Sequence, residues 1–223
     1  MTPQHHLPAD IERTSMAIIT EELQARGADI PPENAAVVKR VIHTTADFDY
    51  AENLQFTQGA AAAGVAAMHA GATIITDTNM ALAGITKPGL ARLGGRALCF
   101  MAEPAVAEAA RAAGTTRAVA AMHLAAQQYP GAVLAVGNAP TALLAIAEEI
   151  ETGLRPALVI GVPVGFVGEA LLFLLFACGG FTGAFYLAGD PCVEGFGGDA
   201  LNGELFGSLR LRSLFSVRVR SVQ

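Results

Sequence analysis

Four short apolar runs constrain this chain more than any other feature. They stand in ATIITDT (residues 72–78), RALCFM (96–101), AVLAVGNAP (132–140) and PALVIGVPVGF (156–166), and three of them break off into polar, Gly or Pro residues. Helical patterns lie before and between them: QGAAAAGVAAMHAG, AVAEAARAAG, TTRAVAAMHLAAQQYPG and TALLAIAEEIETG. A strand without polar alternation has to be covered on both faces, and strands that alternate with helices pair in parallel. The predicted fold is therefore α/β, a three-layer αβα arrangement around a mostly parallel sheet. Ligands of such folds sit where strand C-terminal ends meet loops. Here those ends read TDTNMALAGI, MAEP, VGNAP and VPVGFVG.

Two helices precede the sheet. Residues 9–27 carry Ile11, Met16, Ile18, Ile19 and Leu23 at helical spacing, and Gly27 is a stop signal. PPENAAVVKRVIH follows, with Pro31 and Pro32 predicted to start a helix and Glu33 favouring its positive end. Val37, Val38, Val41 and Ile42 form its apolar face, which places His43 at its C-terminal end.

Composition narrows the chemistry. With 223 residues, 52% apolar and 15% charged, much of the chain is interior or buried against a partner. A net charge of −6 argues against nucleic acid, which binds a basic face. No basic, then apolar, leader opens the sequence, so a cytoplasmic protein is expected. Cys99, Cys178 and Cys192 are odd in number and lack CxxC spacing, which fits a reducing compartment without disulfides. His5 and His6 lie in a polar N-terminus, and no two of His43, His69 and His123 are spaced as metal ligands, so no metal is expected. Neither GxGxxG after a strand nor GxxxxGK[ST] occurs, which argues against a nucleotide cofactor.

Few residues can then carry chemistry. Histidine is the side-chain type suited to proton transfer near neutral pH, so His43 can donate or share a proton; the competing reading is an imidazole that caps its helix. Asp47 and Asp49 orient that ring or, more simply, cap the next element. In VGNAPTAL, Asn138, Pro140 and Thr141 open a helix whose free backbone N–H groups would meet a ligand carboxylate. An ordinary capped helix explains the same residues. Asp77, Thr78, Asn79, Thr86 and Lys87 follow a buried strand, more polar groups than a plain loop needs. Arg117 stands just inside a helix start, and Lys39, Arg40, Arg92 and Arg96 are further cations for an acidic ligand.

Six blocks in order, IERTSMAIITEE, VVKRVIHTTADFDY, ATIITDTNMALAGI, GTTRAVAAM, AVGNAPTAL and PALVIGVPVGFVG, resemble the precorrin-8X methylmutase family, including its cobalt-precorrin-8 branch. Together they span residues 9–168. The resemblance implies an isomerase of corrin (vitamin B12) biosynthesis that moves a methyl group from C-11 to C-12 of precorrin-8X, giving hydrogenobyrinic acid, with no external cofactor. It also implies a catalytic role for His43, acting on a ring nitrogen, and a homodimer with sites near the subunit interface. Ser15, Thr86, Arg117, Asn138 and Thr141 match the expected substrate rim. An intramolecular shift makes no nucleophile and expels no leaving group, so one proton donor suffices, worth about 10²–10⁴-fold. A tetrapyrrole-binding protein that no longer turns over is the alternative from a different class.

After Gly168 the resemblance stops, which suggests a methylmutase-like domain over 1–168 and an atypical segment over 169–223. Seven of the eleven phenylalanines fall there. Residues 170–189 hold no charge, formally long enough for a bilayer, with Arg210, Arg212, Arg218 and Arg220 available to an inside face. Gly179, Gly180 and Gly183 weaken such a helix, and it would strip the domain of its last strand and helix. Three accounts fit: a shifted reading frame near codon 168, a divergent tail, or a membrane anchor. On the first, loss of the last strand exposes an apolar sheet edge and removes a basic turn from the ligand rim.

Overall fold

The computed structural model describes residues 7–161 and 183–186, all within the unit Met1–Ala188. Two helices open the chain, α1 (Pro8–Ala25) and α2 (Ala35–Thr45), followed by the single turn α3 (Tyr50–Asn53) and strand β1 (Leu54–Phe56). Alternation then sets in: α4 (Ala60–His69), β2 (Thr73–Thr76), α5 (Asn79–Gly84), α6 (Lys87–Arg92), β3 (Arg96–Leu98), α7 (Pro104–Ala112) and α8 (Arg117–Gln128). It closes with β4 (Val133–Val136), α9 (Pro140–Glu151), β5 (Leu158–Gly161) and β6 (Gly183–Tyr186). The sheet order is β1-β6-β5-β4-β2-β3, parallel except for the antiparallel edge pair β1–β6.

The apolar runs form strands because both of their faces are covered. Ile75, Leu134 and Val159 point into one core, shared with Met122 of α8 and Leu143 and Ile146 of α9, all at most 1% exposed. Burying a side chain of that size contributes about 1.5–3 kcal/mol. Their neighbours Ile74, Val133 and Leu158 point the other way, under α4. On that side α2 and α4 border an apolar cavity of about 490 Å³, in which His69 is the one titratable side chain. A third cluster joins α1 to α2 and the segment after it through Ile19, Leu23, Val38, Ile42, Tyr50 and Leu54. The α/β reading therefore holds, with helices on both sides of a mostly parallel sheet.

Several local expectations change. The second helix starts at Ala35 rather than at the two prolines, which build a turn instead: Asn34 N–H donates to Pro31 O at 2.9 Å. Pro32 disfavours the helical region for Pro31, so the pair suits a turn better than a first helical residue. Ile11 and Ile18 share the helical spacing of α1 yet stay 50% and 59% exposed. TDTNMALAGITKPGL is not one loop but holds α5 and α6.

The expected loss of the last strand is overturned. Residues 183–186 supply β6, which pairs parallel with β5 and antiparallel with β1, so β5 is not an edge. That strand also interrupts the uncharged run. On its N-terminal side 13 residues of the run remain (170–182). Among the described residues no helix is long and apolar enough to cross a membrane. The rest of the atypical segment, residues 169–182 and 187–223, lies outside the described residues, as do His5, His6, Cys178 and Cys192.

Candidate active site

His43 owes its position to how α2 ends. Ala46 takes the left-handed conformation (φ 57°, ψ 23°), and its N–H donates to Ile42 O at 2.7 Å. The helix therefore stops within one turn of His43 and the chain doubles back into Asp47–Asp49. Thr44 and Thr45 do not join the site, since their hydroxyls donate to Arg40 O and Val41 O, each at 2.9 Å. Asp47 does not orient the imidazole either. Its Oδ1 accepts the Asp49 N–H at 2.9 Å, an Asx turn that leads into α3.

The ring of His43 is half-buried and lines a cleft of about 250 Å³. Ser15, Ile18 and Ile19 of α1 form one wall, and Ile42, Ala46 and Phe48 the rest. His43 is the one titratable side chain among these, and among the described residues no side chain hydrogen-bonds to it. The walls are held from outside. Arg40 donates to Glu12 Oε1 at 2.7 Å and ties α2 to α1, and the Arg26 guanidinium lies 4.5 Å from the centre of the Phe48 ring. The hydrogen bond and charge of Arg40 hold the Glu12 carboxyl below its ordinary range. A single proton donor in an apolar cleft, beside one hydroxyl, can polarise a conjugated ring without attacking it.

A second group gathers at the C-terminal ends of β2 and β4. Thr116 caps α8 by accepting the Val119 N–H at 3.2 Å, and its hydroxyl lies 3.5 Å from that of Thr141 in the first turn of α9. Arg117, Asn138 and Thr141 are exposed beside this contact. Of the backbone amides expected to await a ligand carboxylate, those of the turn that leads into the helix are already used. Gly137, Asn138 and Ala139 all donate to Asp77, whose side chain is fully buried and does not face a ligand. Thr86 is the exposed residue that precedes α6, with no capping bond from its side chain. Lys87 donates to Leu82 O at 2.9 Å, so it closes α5. The structure thus joins Ser15 to His43, and Thr141 to the start of α8. No described contact links the two groups or brings Thr86 to either. Among the described residues no three His, Cys, Asp or Glu side chains are placed to hold a metal ion.

The family model for precorrin-8X methylmutase matches residues 10–171. The chain belongs to that family. A cobalt-precorrin-8 methylmutase of Salmonella typhimurium is 41% identical over 167 residues, covering 73% of this chain and 78% of that protein. The precorrin-8X methylmutase of Pseudomonas aeruginosa is 39% identical over 161 residues, covering 72% and 76%. In three dimensions the precorrin-8x methyl mutase of Thermus thermophilus superposes with a TM-score of 0.72 at 39% identity, over 80% of this chain and 85% of that one.

Sequence reasoning missed the cleft walls, above all Phe48 and Ile18, and the cap at Thr116. Phe48 lies in a short polar segment without periodicity, so nothing local announces that it packs on α1 and α2. Thr116 had a usable signal, a threonine immediately before a helical pattern.

Proposed function

We propose that this chain moves a methyl group from C-11 to C-12 of precorrin-8X, or of its cobalt-containing equivalent, as a cytoplasmic isomerase of corrin biosynthesis. The observation that carries the mechanism is His43: one titratable side chain, unpartnered among the described residues, in an otherwise apolar cleft beside Ser15. The migrating methyl stays within one molecule, so catalysis comes from fixing the macrocycle's tautomer and pucker. His43 does the first by placing a proton at a ring nitrogen, and Ile18 and Phe48 do the second by packing on the ring edge. A cleft of about 250 Å³ admits part of a tetrapyrrole, so the remainder lies across the neighbouring surface. Arg117, Thr86, Asn138 and Thr141 are the groups to receive its acid side chains, and a second copy of the chain would cover the disc. That geometry favours a homodimer.

The test mixes purified chain with precorrin-8X and follows the visible spectrum. Conversion to the hydrogenobyrinic acid spectrum is expected. A spectrum that stays that of precorrin-8X under saturating enzyme rejects the isomerase.

A further inference from the structure

Asp77 is a fully buried carboxylate that the isomerisation itself does not use. Its Oδ1 accepts the Gly137 N–H at 3.1 Å, and its Oδ2 accepts those of Asn138 and Ala139, both at 2.9 Å. No cation pairs with it among the described residues. Three consecutive amides and the positive end of α9 take the place of a counter-ion. Around it the strand end is equally closed. Asp77 N–H donates to Ala135 O at 3.2 Å, and the Thr76 hydroxyl donates to Thr78 O at 2.9 Å. Thr78 in turn caps α5 by accepting the Ala81 N–H at 3.1 Å.

This anion nest is therefore filled by the protein's own carboxylate, and a substrate acid group cannot use it. We propose that Asp77 is a positioning residue of the methylmutase site: from inside, it fixes the 137–139 turn so that Asn138 and Thr141 meet the substrate's acid side chains already in place. The inference rests on the reading of that turn as part of the substrate rim. It assigns recognition there to the side chains of Asn138, Thr141 and the nearby Arg117, with the 137–139 backbone amides excluded. His43 sits on α2, and no described contact connects it to Asp77. Disturbing Asp77 should therefore weaken substrate capture while leaving the proton step intact.

Asp77→Asn tests this. The carboxamide has the same size but turns an NH₂ towards amide donors, so the turn must move to separate them. KM for precorrin-8X should rise about tenfold, roughly 1.4 kcal/mol of lost binding, with kcat held within about a factor of three. A folded variant with unchanged KM, or with the loss confined to kcat, overturns the inference. A wild type that does not convert precorrin-8X at all overturns the functional reading instead. Amide exchange in the wild type gives an answer even if the variant does not fold. The 137, 138 and 139 amides should be protected without ligand, although Asn138 is exposed. Their protection should not grow when hydrogenobyrinic acid binds. Protection that arises only with hydrogenobyrinic acid bound would mean that the ligand, not Asp77, is their acceptor.

Discussion

Replacing Ala46 by glycine should stabilise this protein, because glycine takes the left-handed conformation that ends this helix without steric cost. Ala46 is exposed and holds φ at 57°, and among the described residues it is the one non-glycine with positive φ. An L-residue costs about 1–2 kcal/mol in that conformation. Glycine removes that cost but loses about 0.5–1 kcal/mol through the greater freedom of the unfolded chain. The difference is about 0.5–1 kcal/mol in favour of Ala46→Gly. For a chain of this length each kcal/mol moves Tm by about 2–4 °C, so a rise of about 1–4 °C is expected. Thermal unfolding followed by circular dichroism reads it, with Ala46→Val as the opposite control, because a β-branched residue tolerates positive φ worst. The cap bond from residue 46 to Ile42 O is a backbone bond and survives both changes. A Tm that falls in Ala46→Gly would refute the strain reasoning and show that the alanine methyl matters to the cleft wall it lines.

Two further perturbations follow from the geometry. A Cβ at Gly95 would lie 2.7 Å from Leu90 Cδ1 and 2.9 Å from the backbone oxygen of Ala72, whereas one at Gly131 would meet nothing within 4 Å. Gly95→Ala should therefore cost about 1–3 kcal/mol and Gly131→Ala less than about 0.5; equal denaturant midpoints for the two would contradict this. Glu12 is held below the ordinary value of 4.5 by Arg40, so its ion pair adds stability above that value and loses it as pH falls through the lower folded value. The stability gap between wild type and Glu12→Gln should thus be present at neutral pH, shrink with salt and close in acid; a gap that ignores pH would mean that the α1–α2 pair does not act through charge.

What could be read from the sequence divides along physical lines. β2, β4 and β5 were legible because strands covered on both faces write themselves as unbroken apolar runs. β1 was not: Leu54–Phe56 is three residues long, too short for alternation to show. β6 sits in a glycine-rich apolar stretch that reads equally well as a membrane segment, and only its pairing with β5 and β1 distinguishes the two. Helical spacing placed His43 at the end of α2, but nothing in an alanine announces the left-handed turn at Ala46 that opens the cleft. Asp77 shows the limit most clearly. Its residue type suggested a ligand-facing group, while its partners lie 60 to 62 residues away in sequence, beyond any local pattern.

The role of His43 is tested most directly by a single turnover of precorrin-8X labelled with ¹³C in its C-11 methyl, using wild type and His43→Ala side by side. The expected result is that the labelled resonance moves to the C-12 methyl position with the wild type and stays in place with the variant, which still binds the tetrapyrrole. Migration at the wild-type rate in His43→Ala would contradict the assignment of the proton to this histidine.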